Sequence, residues 1–149
     1  MKNLLVIQVL FLAFASVAFS EELRFGEKKR LDRVSLMKII VDPASLVDEE
    51  VQVSGYVHNV ESGMAFLFFN KEFMKLYDMG NAVRLKGDPF YEFLHKNAEK
   101  IIGSGSYHMI VQGVVRHDPT IKNRMARTWI DVSACAIYID PKHKLDEEK

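Results

Sequence analysis

The sequence contains little cysteine and no excess of charge of either sign. One Cys in 149 residues excludes an intramolecular disulfide framework and a cysteine-rich zinc module. Lys and Arg number 20, against 20 Asp and Glu, which excludes a strongly basic nucleic-acid binder and an acidic disordered chain. Apolar residues make up 48% of the chain, enough for the core of one globular domain.

Recognisable catalytic motifs are also missing. The chain has no phosphate-binding Walker loop, dinucleotide fingerprint, nucleophile elbow or helical His-Glu-x-x-His pair. His58 with His108 or His117 is conceivable as a metal pair, but two histidines without a third ligand rarely hold a metal. We therefore expect no enzymatic activity, no cofactor and no metal site, although a small enzyme with an unrecognised site remains an alternative.

Only one long apolar run is present, and it lies at the N-terminus. Lys2 precedes an apolar stretch over residues 4–14, and Ala18-Phe19-Ser20 has the small-x-small pattern of a cleavage site. This pattern predicts a secretory signal peptide over residues 1–20 and a mature protein that is periplasmic or secreted. The alternative is an uncleaved N-terminal anchor.

The rest of the chain alternates between strand-like and helix-like patterns. A charged linker is predicted over residues 21–33 and a mobile charged tail over 140–149. A short helix over 34–41 should end before Pro43. Two further helices should run from Asn70 to Gly80, with Phe73, Leu76 and Tyr77 on its apolar face, and from Asp88 to the Gly-Ser tract at 103. The strands are predicted at 50–59, 64–69, 81–86, 107–117 and 127–139.

Two of these strands carry a glycine among branched residues. Gly55 and Gly113 sit in the similar stretches VSGYV and VQGVV, where glycine is costly unless a strand bends or bulges. A small closed barrel needs such bends. The order strand–strand–strand–helix–strand–strand therefore predicts an all-β domain with added helices over residues 34–139, a five-stranded OB-fold barrel preceded by a short helix. An open α+β sheet is the alternative.

The alternation within the last predicted strand assigns its inward side chains. Ile130, Val132, Ala134 and Ala136 are expected to face the core. Cys135 is then a small half-buried residue of that strand, or alternatively a thiol that pairs with another molecule.

The tract VSLMKIIVDPASLVDEEVQVSGYVHN, a short helix, a proline break and a V-x-V-x-G-x-V strand, resembles the start of small bacterial exported OB-fold proteins. Some of these are described as nucleic-acid-binding lipoproteins of the tRNA-anticodon-binding-like kind. The resemblance implies the barrel fold. This chain lacks the lipidated Cys of the lipoprotein members, so the resemblance implies no membrane attachment.

An OB barrel usually binds its ligand across the second and third strands and the adjoining loops. On this chain that region and the neighbouring outward positions carry aromatic and cationic residues suited to stacking and to anion attraction. The predicted ligand-binding residues are Tyr56, His58, Arg84, Lys86, Lys122, Arg124, Arg127 and Trp129. Alternatively, Tyr56 and Trp129 pack beneath the helices and the cations are ordinary surface residues.

These features predict an exported, non-catalytic binding or interaction module of the cell envelope, whose partner is an envelope protein, a peptide or a glycan. The alternative is a single-stranded nucleic-acid-binding protein. A chain with balanced charge has little electrostatic field to attract phosphates, so this alternative stands second.

Overall fold

The computed structural model describes residues 21–58, 64–102 and 107–139. The predicted signal peptide and the predicted C-terminal tail lie outside the described residues. The strands are β1 (Glu21–Phe25), β2 (Glu50–His58), β3 (Ala65–Phe68), β4 (Ala82–Lys86), β5 (Tyr107–His117) and β6 (Thr128–Ile139). The helices are α1 (Leu36–Val41), α2 (Lys71–Lys75), α3 (Asp88–Lys96), α4 (Ala98–Ile102) and α5 (Arg124–Arg127), and 3₁₀ turns span Pro43–Leu46 and Met79–Asn81.

Strands β2 to β6 close into a barrel. β2 pairs antiparallel with β3 and β5, β3 pairs antiparallel with β4, and β5 pairs antiparallel with β6. The circle is completed by a parallel pairing of β4 with β6, in which Leu85 lies opposite Ile130. This connectivity is that of an OB-fold-like barrel. The predicted all-β barrel with added helices is confirmed, and the open α+β alternative is wrong.

Gly55 and Gly113 stand where neighbouring strands approach too closely for a side chain. A Cβ on Gly55 would collide with the Phe68 carbonyl oxygen and lie 2.9 Å from Leu67 Cγ. A Cβ on Gly113 would collide with the Asp131 carbonyl oxygen and lie 2.7 Å from Ile130 Cγ2. The two glycines therefore permit the tight coiling that brings the barrel edges together.

The core fills the barrel and is closed by helices. β2 and β5 contribute Val53, Met109 and Val111, which are among the least accessible side chains. α1 contributes Leu36 and Ile39 to the same core cluster, and α3 contributes Phe90 and Leu94. No helix among the described residues is both long and apolar enough to cross a membrane.

The predicted inward residues of β6 are only partly correct. Ile130 is buried in the core and Val132 packs against it, but the next core residues are Cys135, Ile137 and Ile139. Gln112 of β5 lies opposite Ala134, whereas Gly113 lies opposite Val132, so Ser133 is an extra residue in β6. This bulge reverses the alternation and turns Ala134 and Ala136 to the outer side of the barrel, where other parts of the chain bury them.

The predicted apolar face of the helix after Asn70 is wrong. The Asn70 side chain accepts the predicted capping bond from Phe73 N, at 2.8 Å. The helix ends at Lys75 rather than at Gly80, and Tyr77 has a φ of 52°, outside helical geometry. Leu76 and Tyr77 are therefore 77% and 58% exposed, and the buried residue of α2 is Met74.

The segment predicted as a charged linker over residues 21–33 begins with a strand that was not predicted, and residues 26–30 after it are exposed. β1 pairs antiparallel with β6, and its Phe25 ring lies 5.5 Å from the ring of Phe93. Residues 26–34, here called the strap, then cross the outer side of β5 and β2. Val34 N donates to Gln52 O at 2.9 Å at the end of this crossing.

Two buried glutamines hold the strap in place. Gln112 is 2% exposed and its Nε2 donates to the Lys29 carbonyl oxygen at 2.7 Å and to Gln52 Oε1 at 2.8 Å. Lys29 N in turn donates to Gln112 Oε1 at 2.8 Å. A single side chain thus satisfies both backbone polar groups of Lys29, as a neighbouring strand would.

Candidate ligand-binding surface

Four outward side chains form one row across β3, β4, β6 and β5. Phe66 lies opposite Arg84, Arg84 lies opposite Trp129, and Trp129 lies opposite Arg116. Residues directly opposite each other share one face of a sheet. The flanking residues of each strand, such as Val83 and Leu85 on β4, point into the core, so the row lies on the outer surface and its members are half-buried.

Trp129 is held by polar contacts on this surface rather than packed beneath a helix. Lys86 Nζ lies 3.8 Å from the centroid of the Trp129 ring, a cation–π contact. Trp129 Nε1 donates to Asp131 Oδ1 at 2.9 Å. These contacts fix the indole in one orientation. A ligand that stacks on it therefore loses little side-chain conformational entropy on binding.

Asp131 also neutralises Arg116. Arg116 Nε donates to Asp131 Oδ2 at 3.0 Å, and its guanidinium forms a second ion pair with Asp48. The hydrogen bond that Arg116 donates to Asp131, followed by its pairing with Asp48, raises the pKa of Arg116 above its usual range. Arg116 therefore offers little net positive charge to a ligand.

Arg84 differs from Arg116 in forming no ion pair with any carboxylate in the described part of the chain. Its Nε is buried and makes no hydrogen bond among the described residues. A buried donor without a partner is uncommon in folded proteins and costs about 1–3 kcal/mol. Arg84 is thus the cation of this surface with unused bonding capacity. We name the Trp129 face as the surface formed by Phe66, Arg84, Lys86, Arg116, Trp129 and Asp131.

Tyr56 lies at the edge of the Trp129 face. Its ring contacts the His108 ring with a centroid separation of 5.6 Å, and His108 lies 6.2 Å from the ring of Tyr138. Along β5, His108 and Arg116 are eight residues apart, about 26 Å, with Gln112 and the strap between them. Across β2 and β3, however, Tyr56 lies opposite Phe68 and is therefore a diagonal neighbour of Phe66. Tyr56 thus borders the Trp129 face at its Phe66 end and is far from its Arg116 end.

His108 in this aromatic row has an altered basicity. Burial lowers the pKa of His108 below the usual 6.5, and the positive charge of Arg33 on the strap lowers it further. The neutral ring is consequently favoured, in agreement with its edge-on packing against Tyr56.

The remaining predicted residues lie around the loop before β6. Arg127 lines a cleft at the start of that strand, described further below, and Lys122 is exposed on the loop. The backbone of His58 ends β2 and that of Arg124 begins α5, but both side chains lie outside the described part of the structure. The structure therefore places three of the eight predicted residues within the face, Arg84, Lys86 and Trp129, and the backbone register puts His58 opposite Phe66 at its edge.

Three members of the Trp129 face were missed from the sequence. Phe66 lies in an uninterrupted apolar run, which has no alternation to show which side chain faces outward. Arg116 and Asp131 both lie at outward-facing positions of predicted strands, so the alternation within those strands could have identified them as surface residues. Their mutual contact depends on the β5–β6 register, which the sequence does not reveal.

Cys135 and the histidines were also weighed from the sequence as reactive or metal-binding groups. Cys135 is unpaired and 6% exposed, and burial raises the pKa of its thiol to about 12. The thiol is therefore protonated at neutral pH and inaccessible to reagents. Across residues 21–58, 64–102 and 107–139, no three His, Cys, Asp or Glu side chains are grouped as metal ligands.

Comparisons of the chain with protein-family models, with curated proteins and with solved structures give no match.

Proposed function

We propose that this protein is a non-catalytic binding module of the cell envelope, and that the Trp129 face is its ligand-binding surface. The leader-like residues 1–20 support export to the periplasm or beyond. The resemblance to small exported OB-fold proteins supports the same compartment. The partner is an envelope protein, a peptide or a glycan.

One observation carries this proposal: Arg84 lies between two aromatic side chains, Phe66 and Trp129, with its Nε lacking a partner. Aromatic rings offer flat apolar area for a sugar ring or a peptide side chain. Because this Nε is enclosed by the protein, a ligand acceptor can supply the missing hydrogen bond only when the half-buried Arg84 side chain turns outward, and the bond gained would offset that movement. The balanced charges elsewhere on the face favour a ligand that is neutral or carries a single negative group.

A single-stranded nucleic acid is the second candidate. Stacking of bases on Phe66 and Trp129 and pairing of a phosphate with Arg84 favour it. Two of the three cations on the face are already engaged, since Lys86 lies over Trp129 and Arg116 pairs with two carboxylates. Few positive charges are then free to neutralise successive phosphates.

Trp129 provides the test, because it is the only tryptophan of the chain. The purified protein is titrated with soluble cell-wall glycan fragments, with envelope-derived peptides and with an oligothymidylate of about 12 nucleotides, within the site size of an OB fold. We expect a saturable change in Trp129 fluorescence with a glycan or peptide probe. Arg84→Gln should weaken that binding about tenfold, since a hydrogen bond to a charged group is lost.

Lys96→Gln is the matched control, because it removes one positive charge from an exposed position on α3, away from the face. It should leave the affinity unchanged. A response to the oligothymidylate alone, weakening steeply as salt is raised, would favour the nucleic-acid candidate instead. If Arg84→Gln and Lys96→Gln bind every probe as tightly as the original protein does, the Trp129 face is not the site.

Export is tested separately, by mass spectrometry of the protein recovered from the cell that produces it. We expect a chain that begins at Glu21. Recovery of the intact chain from the cytoplasm would contradict the proposed compartment without bearing on the Trp129 face.

A further inference from the structure

A cleft with mixed polar and apolar walls lies at the start of β6, on the other side of that strand from the Trp129 face. Thr128 and Trp129 are consecutive in β6, so their side chains point in opposite directions. The cleft has a volume of about 360 Å³, within the range of small-molecule sites. No predicted activity or ligand accounts for it.

Both apolar and basic side chains line the cleft. Ile40 of α1, Pro43 and Met79 provide aliphatic surface from three separate segments. Arg127, His117 and Thr128 provide polar groups, and none of the described residues that line the cleft is acidic. Such a combination suits a ligand with one anionic group and a small apolar body.

Arg127 is positioned for a ligand by the protein itself. Its Nε donates to the carbonyl oxygen of Ile121, which orients the guanidinium without neutralising it. Among the described residues Arg127 forms no ion pair, in contrast to Arg116. Its two terminal nitrogens therefore remain available for the paired hydrogen bonds that a carboxylate accepts.

The neighbouring polar groups are already arranged. His117 Nδ1 shares a hydrogen bond of 2.9 Å with Thr128 Oγ1, which leaves the second ring nitrogen for another partner. The acidic residue next to His117, Asp118, accepts hydrogen bonds from Thr120 N and Thr120 Oγ1 at 2.9 and 2.6 Å. Both bonds are made by Oδ1, and the N–H of Asp118 donates to the Arg127 carbonyl oxygen.

We propose that this cleft binds a small organic carboxylate, with the carboxylate on Arg127 and the apolar group against Ile40, Pro43 and Met79. The site is separate from the Trp129 face and does not depend on its ligand. Binding would join α1, the Met79–Asn81 turn and the start of β6, three segments that the barrel itself connects only loosely.

The test uses hexanoate as the probe, with acetate and hexanol as probes for the anionic and apolar parts alone. Binding is followed by the NMR shifts of the backbone amides of Gly80, Ala82 and Thr128. We expect saturable shifts with hexanoate, and an affinity at least about tenfold weaker for acetate and for hexanol, because each lacks one of the two interactions.

Two variants locate the carboxylate. Arg127→Gln should weaken hexanoate about tenfold and leave hexanol unchanged. Because this change also removes the bond to Ile121, Met79→Glu serves as a second variant that keeps Arg127 intact and places a negative charge at the rim. It should weaken hexanoate to a similar degree, while Lys96→Gln has no effect. Absence of saturable shifts, or a hexanoate affinity that stays equal to that of the original protein in both Arg127→Gln and Met79→Glu, would overturn the proposal.

Discussion

Individual side chains on the barrel surface differ widely in how many hydrogen-bond and ion-pair partners they have. Arg116 has two carboxylate partners, Trp129 has a cation over its ring and an acceptor for its N–H, and Arg84 has an unpaired Nε. Alternating polarity on β4 was enough to predict that Arg84 faces outward. It could not show which cation remains unpaired, because that depends on the neighbours that the strand register supplies.

His108 gives a prediction for the pH dependence of stability. Its pKa is lowered in the folded protein, so between that value and 6.5 the unfolded chain binds a proton that the folded protein does not. The free energy of unfolding therefore falls as the pH falls through this window, and the full contribution is present above it. Tm measured between about pH 7 and pH 5 should fall less for His108→Gln than for the original protein.

His95→Gln is the control for this measurement, since His95 is an exposed histidine of α3. Its Tm should follow the original protein across the same range. A parallel fall of Tm in His108→Gln and in the original protein would show that His108 does not contribute.

At the scale of elements, the strap and β6 depart furthest from their predictions. Charged residues dominate the sequence before the first helix, and the short alternation of Leu23 and Phe25 with Glu22 and Arg24 is hidden among them. The bulge at Ser133 likewise has no local signal, because it is imposed by the pairing of β6 with β5. Strands β2, β4 and β5 were predicted closely, since each keeps a regular alternation throughout.

The strap should depend on Gln112. Gln112→Ala removes hydrogen bonds to both backbone groups of Lys29 and to Gln52, and leaves buried polar groups without partners. We expect a loss of about 1–3 kcal/mol in the free energy of unfolding and faster hydrogen exchange at the Lys29 amide.

Lys29→Ala tests whether this effect belongs to the backbone contact. It keeps the bonds to Gln112 and removes only the exposed ion pair with Glu50, which should cost less than about 1 kcal/mol. Unchanged exchange at residue 29 in Gln112→Ala would mean that the strap is held by something else.

The barrel as a whole depends on close approach at Gly113. Gly113→Ala forces a methyl group against the backbone of Asp131, and we expect a loss of about 2–4 kcal/mol in the free energy of unfolding, measured by denaturant titration. Gly80→Ala is the matched control, because there the nearest atom to a new Cβ is a side-chain oxygen of Asp78 at 3.3 Å. It should change stability by no more than about 0.5 kcal/mol. Equal effects of the two substitutions would contradict the role given to Gly113.

For the whole molecule, the sequence predicted the barrel but not the distribution of its surfaces. The order of strands and the two glycines were sufficient for the fold. The predicted site combined residues that share an outward phase, whereas the row around the barrel places Tyr56 at its Phe66 end, and along β5 the strap lies between His108 and Arg116. Whether a side chain points outward follows from the alternation within its own strand. Which outward side chains lie close together depends on the order of the strands and on the shear of the barrel.

The parallel pairing of β4 with β6 closes the barrel and creates the Trp129 face in the same step. Its most direct test is NMR detection of close contacts between backbone protons of Arg84–Lys86 and Trp129–Asp131. We predict these contacts together with those of the β3–β4 and β5–β6 pairs. If the two antiparallel pairs give contacts and the β4–β6 pair gives none, the sheet is open and both the barrel and the Trp129 face are wrong.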